Sequence, residues 1–136
     1  MKLMIDRVML AVLVIVVAVL VVTSLPFLSG QSLEGRMLRV HMMASGVLVV
    51  GLPIFALAWT LRVINRAASG SIQRIGFWLV LVTGLMTTAT MFVCMLPIAS
   101  TTEMKSLMHW HGYFGFAMIP ATVVLLLGSW KWRRAS

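Results

Sequence analysis

Residues 8–28 read VMLAVLVIVVAVLVVTSLPFL, without one charged side chain. At ~1.5 Å per residue, a helix over this stretch covers the ~30 Å hydrocarbon core of a bilayer. The stretch is continuously apolar and does not alternate, which excludes a transmembrane β-strand. Outward from it the pattern recurs. Uncharged runs cover 8–33, 40–61, 75–102 and 106–130, with only short polar connections between them. They predict helices over 8–28, 37–64, 75–98 and 103–130, in one domain spanning 1–136. The predicted fold is all-α: an integral membrane four-helix bundle, up-down-up-down, built of two tandem hairpins.

Composition agrees. The 136 residues are 61% hydrophobic and 10% charged, with a mean hydropathy of +1.05. A soluble domain is about half apolar and about a quarter charged. A disordered chain, a soluble enzyme and a nucleic-acid binder that reads bases are thereby excluded. Lys2 and Arg7 before an apolar run also resemble a signal peptide. The run continues to Leu28, past the ~7–15 residues of a signal core, so it is read as a retained helix.

The net charge of +8 comes from 11 Lys and Arg against 3 acids, and in such a chain it encodes orientation. Lys2, Arg7, Arg62, Arg66, Arg74, Lys131, Arg133 and Arg134 fall on one side of the predicted topology. Arg36, Arg39 and Lys105 are the basic residues of the other side. The positive-inside rule then puts both termini in the cytoplasm. For a bacterial inner membrane the opposite face is periplasmic. Trp59, Trp78, Trp130 and Trp132 are expected as an interfacial belt on the cytoplasmic side, and Trp110 on the other.

The chain also carries an internal repeat. Leu25-Pro26 and Leu96-Pro97 each close an odd-numbered helix. Each is followed by a loop with one acid, Glu34 or Glu103, and an expected N-cap, Ser32 or Thr102. Nine residues after the cap stands a histidine, His41 or His111. A small residue follows at i+4, Ser45 or Gly115, and each even-numbered helix has an interior proline, Pro53 or Pro120. Two hairpins in parallel repeat are related by an axis along the membrane normal. His41 and His111 are then expected at equivalent depths, facing each other across the bundle.

A bare metal usually needs three or four protein ligands. A haem needs two axial ones, and histidine is a standard axial ligand. Ser45 and Gly115 lie on the ligand face one turn deeper and leave room for a flat macrocycle. Arg36, Arg39 and Lys105 sit where anionic propionates would meet water. His109 lies two positions from His111, ~200° round the helix. It is the alternative ligand on the fourth helix, with His111 favoured by the repeat.

These motifs resemble a known group. Arg36-Met-Leu-Arg39-Val-His41 opening helix two and Leu107-Met-His109-Trp-His111-Gly112 opening helix four look like the small four-helix b-type cytochromes of bacterial membranes. Those are related to the cytochrome b subunits of hydrogenases and formate dehydrogenases. The resemblance implies one non-covalent, bis-histidine haem b and electron exchange with quinol or a redox protein. The chain is further expected to be a subunit of a larger membrane complex or a homo-oligomer. Many members of that group carry two haems on four or more histidines. This chain has three, enough for one haem. A single haem on one side does not carry electrons across the ~30 Å core unaided. The expected role is therefore local electron transfer, alone or as a subunit of a membrane oxidoreductase.

Two other readings are open on the sequence. One is a cofactor-free accessory subunit. The other is a copper-binding membrane protein using Met91, Cys94 and Met95 with Met42, Met43, Met104 and Met108. Cys94 is the one cysteine, so no internal disulfide forms, and CxxCH, Walker and GxGxxG motifs are absent. Gly46, Gly51, Gly76, Gly84 and Gly128 are expected to permit close helix approach.

Overall fold

A computed structural model describes residues 2–30, 33–64, 69–98 and 100–135. Ser32 and Arg66 lie outside the described residues. So do the side chains of Lys2, Arg62, Trp132, Arg133 and Arg134. The chain forms α1 (Lys2–Leu28), α2 (Gly35–Ile64), α3 (Ser71–Met95) and α4 (Thr101–Ala135), with no strand among the described residues. All four helices are long and apolar enough to cross a bilayer, over Met4–Pro26, Gly35–Leu61, Ser71–Met95 and Thr101–Lys131. Large aliphatic side chains stand exposed along every helix, Leu57 at 78% and Leu61 at 80% among them. Burying one such side chain from water is worth ~1.5–3 kcal/mol, so this surface suits lipid. The fold is that of a multi-pass membrane protein.

Two compact units divide the chain, Met1–Ser69 and Gly70–Ser136. Each is an antiparallel helical hairpin, α1 with α2 and α3 with α4. In the first, Leu10, Leu13 and Val17 of α1 are buried, as are Leu48, Leu52, Phe55, Trp59 and Val63 of α2. The α2 spacing of three and four is that of one helix face. In the second, Gln73, Gly76, Phe77, Val80, Gly84 and Thr87 form the buried stripe of α3. Met118, Ala121, Thr122, Leu125 and Ser129 are buried on α4.

Glycine decides how close each pair comes. A Cβ on Gly76 would lie within 3 Å of the Leu125 backbone, and one on Gly128 within 3 Å of the Gln73 backbone. Here α3 and α4 touch main chain to main chain, as small residues allow in membranes. The expectation of close approach holds at Gly76 and Gly128. It fails at Gly46 and Gly51, where a Cβ would meet nothing within 4 Å. Beside Gly51 the first hairpin instead has an apolar groove of about 190 Å³, lined by Val8, Val12 and Val16 of α1 and Leu48, Leu52 and Phe55 of α2.

The helix ends depart from the sequence expectation for local reasons. Residues 2–7 continue α1 because nothing in them breaks a helix, although hydropathy there is low. Pro26 lies inside α1, which runs on to Leu28. Ser29 N–H and Oγ–H both donate to Pro26 O, at 3.1 and 2.8 Å. Gly30, at φ +75°, then takes the left-handed turn that ends the helix. The second Leu-Pro behaves differently. Leu25 before Pro26 stays helical, whereas Leu96 is extended, at φ −82° and ψ 136°, the conformation favoured before a proline. That stops α3 at Met95 rather than at 98. The cap of α4 is Ser100, not Thr102. Ser100 Oγ accepts from Glu103 N–H at 3.4 Å, while Ser100 N–H and Oγ–H donate to Glu103 Oε2, each at 2.7 Å. This is a capping box, and it starts α4 at Thr101. Thr102 lies within the first turn.

Tryptophan placement is mixed. Trp78 and Trp130 are about half exposed, as an interfacial belt requires. Trp59 is buried, at 2% exposure, with its ring 5.1 Å from that of Phe55, one turn earlier on α2. It belongs to the core stripe rather than to the belt.

Candidate functional site

The two histidines expected as ligands are both half-buried, and both are held by the other helix of their own hairpin. His41 stands on α2, six residues past Gly35. Its Nδ1 is 2.9 Å from Thr23 Oγ1 and 3.4 Å from Ser24 Oγ, both on α1. Thr23 has one hydroxyl proton, and its Oγ1 donates it toward Val19 O (2.8 Å) and Leu20 O (3.0 Å). With that proton on either carbonyl, the oxygen accepts from Nδ1–H of the imidazole. The lone pair of the neutral ring then sits on Nε2.

His111 stands on α4, ten residues past Thr101. Its Nδ1–H donates to the main-chain carbonyl of Thr87 at 2.9 Å, with Thr90 Oγ1 at 3.5 Å. A carbonyl only accepts, so this ring is the same tautomer, again with the lone pair on Nε2. The two threonine hydroxyls are themselves back-bonded along α3: Thr87 to Thr83 O at 2.8 Å, and Thr90 to Met86 O at 2.9 Å and Thr87 O at 2.8 Å. In an apolar solvent a hydroxyl left without an acceptor is costly, and the i−4 carbonyl supplies one.

Histidine ligands to metals typically donate the other ring N–H to a carbonyl, carboxylate or water. Such a partner fixes the tautomer and raises the basicity of the ligating nitrogen. His41 and His111 both have it, from chemically different acceptors. Their distances from the hairpin turn differ, however. His41 lies ~9 Å into its helix and His111 ~15 Å into its own, at ~1.5 Å per residue. The cause is the early stop of α3 before Pro97, which lets α4 begin sooner after its proline than α2 does.

His109 is exposed on α4, and its Nδ1–H donates to Lys105 O of the same helix at 2.8 Å. It is thus anchored within α4, whereas His111 is anchored by α3. The neighbouring surface is aromatic, with Trp110 stacked on Phe114 at 5.8 Å and edge-on to Tyr113 at 6.0 Å.

The remaining expected site residues fall as follows. Ser45 is half-buried, one turn beyond His41. Gly115 is half-buried one turn beyond His111, and a Cβ there would meet only Thr87 Cγ2, at 4.0 Å. The glycine leaves open space one turn from His111. Arg36 and Arg39 are exposed in the first turns of α2, and Lys105 is exposed near the start of α4. Cys94 is half-buried, while Met91 and Met95 are exposed. Among the described residues no three His, Cys, Asp or Glu side chains form a metal-holding group.

Sequence reasoning missed the four hydroxyl residues Thr23, Ser24, Thr87 and Thr90. Their signal was present, as hydroxyl residues near the ends of apolar runs that lead toward a histidine loop. Pairing each with its histidine requires the register of the hairpin. No protein-family model, curated protein or solved structure matches the chain.

Proposed function

We propose that this chain is a membrane-bound b-type cytochrome with one non-covalent haem b, which Nε2 of His41 and Nε2 of His111 would hold. The observation that carries this reading is the shared anchoring of the two imidazoles. The Nδ1 of each lies 2.9 Å from an oxygen on the preceding helix, the arrangement that puts the lone pair of a neutral ring on Nε2. The donor set fits the group. Two neutral imidazoles complete a porphyrin iron, the missing side chain of Gly115 leaves space beside one of them, and Arg36, Arg39 and Lys105 are exposed cations able to pair with propionates.

Bound there, haem b supplies reversible one-electron exchange at iron. The chain's own part is to hold each imidazole oriented, to exclude water with apolar helices, and to place positive charge near the anionic edge. The redox partner is quinol or a protein on one side and a periplasmic or complex-bound acceptor on the other. The setting is a bacterial inner membrane, with both termini cytoplasmic. The asymmetry of basic residues supports that orientation.

The test is haem content. Purified protein, extracted and assayed as pyridine haemochrome, is expected to yield about one haem b per chain, released by acidic acetone because nothing holds it covalently. His109→Leu is expected to retain it. Protein that stays colourless after haem supplementation during expression overturns the proposal.

A further inference from the structure

The two imidazole anchors are chemically unequal. His111 Nδ1–H donates to the main-chain carbonyl of Thr87 at 2.9 Å, an acceptor that no side-chain substitution removes. His41 Nδ1–H donates to a side chain, Thr23 Oγ1, also at 2.9 Å. Thr23 is 4% exposed and lies on the buried side of α1. Its proton has the Val19 and Leu20 carbonyls as acceptors at 2.8 and 3.0 Å, an arrangement in which the oxygen accepts from His41 Nδ1–H. Ser24 Oγ, at 3.4 Å, is a more distant second acceptor.

We infer that Thr23 is the positioning residue for His41. It locks the ring as the Nδ1–H tautomer and so keeps the lone pair on Nε2. The inference rests on the proposed role of His41 as an axial ligand. It goes further by assigning control of that ligand to a hydroxyl on the opposite helix. In free histidine the proton prefers Nε2, where it blocks ligation. The hydrogen bond at Nδ1 decides which nitrogen is protonated. An acceptor at Nδ1 also strengthens electron donation from Nε2, which favours ferric over ferrous iron. Loss of Thr23 Oγ1 is therefore expected to raise the midpoint potential. The equivalent change at Thr87 leaves His111 untouched, because its anchor is main chain.

The experiment has two readouts on the full-length chain in detergent micelles. The first is the imidazole 15N spectrum of haem-free protein, which reports the tautomer directly. Wild type is expected to show His41 and His111 as Nδ1–H. In Thr23→Val with Ser24→Ala, His41 shifts toward Nε2–H while His111 stays unchanged, and Thr23→Ser restores the wild-type pattern. Valine has the shape of threonine and suits a membrane helix, so the hairpin is retained. The second readout is a redox titration of haem-loaded protein, with an upward shift in the double variant and return in Thr23→Ser. An unchanged His41 tautomer in the double variant overturns the inference. A wild-type chain that shows the tautomer response but takes up no haem keeps Thr23 as the positioning residue and overturns the cytochrome reading.

Discussion

The two hairpins look alike in sequence and pack differently. Each has a histidine early in its second helix, an interior proline and glycines near its contact face. In α3–α4 the glycines fall in the seam, so Gly76 and Gly128 bring the two main chains together. In α1–α2 the buried stripe is Leu48, Leu52, Phe55 and Trp59, and the glycines lie beside it. Gly51 borders an apolar groove of about 190 Å³. A glycine tightens a membrane hairpin only where its missing Cβ faces the partner backbone. Elsewhere it leaves a gap. The same contrast runs through the imidazole anchors. The tight hairpin offers a main-chain carbonyl from Thr87, and the looser one reaches its histidine through the Thr23 side chain.

The comparison breaks most sharply at the glycine seam. Gly76→Ala and Gly128→Ala force a methyl against backbone that has no room to yield, and overpacking of this kind costs about 1–3 kcal/mol per site. Thermal unfolding in detergent, followed by circular dichroism, is expected to show the loss, larger still when both are combined. Next comes the start of α4. Ser100→Ala removes the acceptor for Glu103 N–H and a donor to its carboxylate, at a cost of about 1 kcal/mol. The same unfolding assay reads it. The opposite sign is expected in the first hairpin. Gly51→Ala adds a methyl where nothing lies within 4 Å and improves helix propensity, a gain of about 0.5–1 kcal/mol. A destabilised Gly51→Ala chain would mean that this face packs as tightly as the glycine seam. The smallest effect is expected from Thr87→Val, which keeps the carbonyl that accepts from His111 and leaves the His111 15N tautomer signature unchanged.

How much of this was legible in the sequence follows from what each feature depends on. Four helices in two hairpins were legible, because continuous apolar runs of bilayer length have few other solutions. That His109 and His111 point to different surroundings was legible from the helical angle; that His111 rather than His109 bonds to α3 needs the hairpin register. Helix ends were not. Hydropathy fades before backbone hydrogen bonding does at Lys2, and at Met95 an extended Leu96 before Pro97 stops the helix inside an apolar run. Trp59 was misplaced because a tryptophan near a run's end resembles an interface anchor until the buried spacing of Phe55, Trp59 and Val63 is seen. The hydroxyl anchors depend on hairpin register, which the loops set. Those loops differ, since α1 continues through Pro26 while α3 stops before Pro97. The same difference places the two histidines at different distances from their helix starts.

The central claim is that each hairpin contributes one anchored imidazole to a single haem b. The most direct measurement is the dithionite-reduced minus oxidised absorption spectrum of wild type and of His41→Leu, His111→Leu and His109→Leu. A sharp b-type α-band in wild type and in His109→Leu, lost in both other variants, is the predicted result. A band that survives His41→Leu or His111→Leu, or that disappears in His109→Leu, would contradict the account.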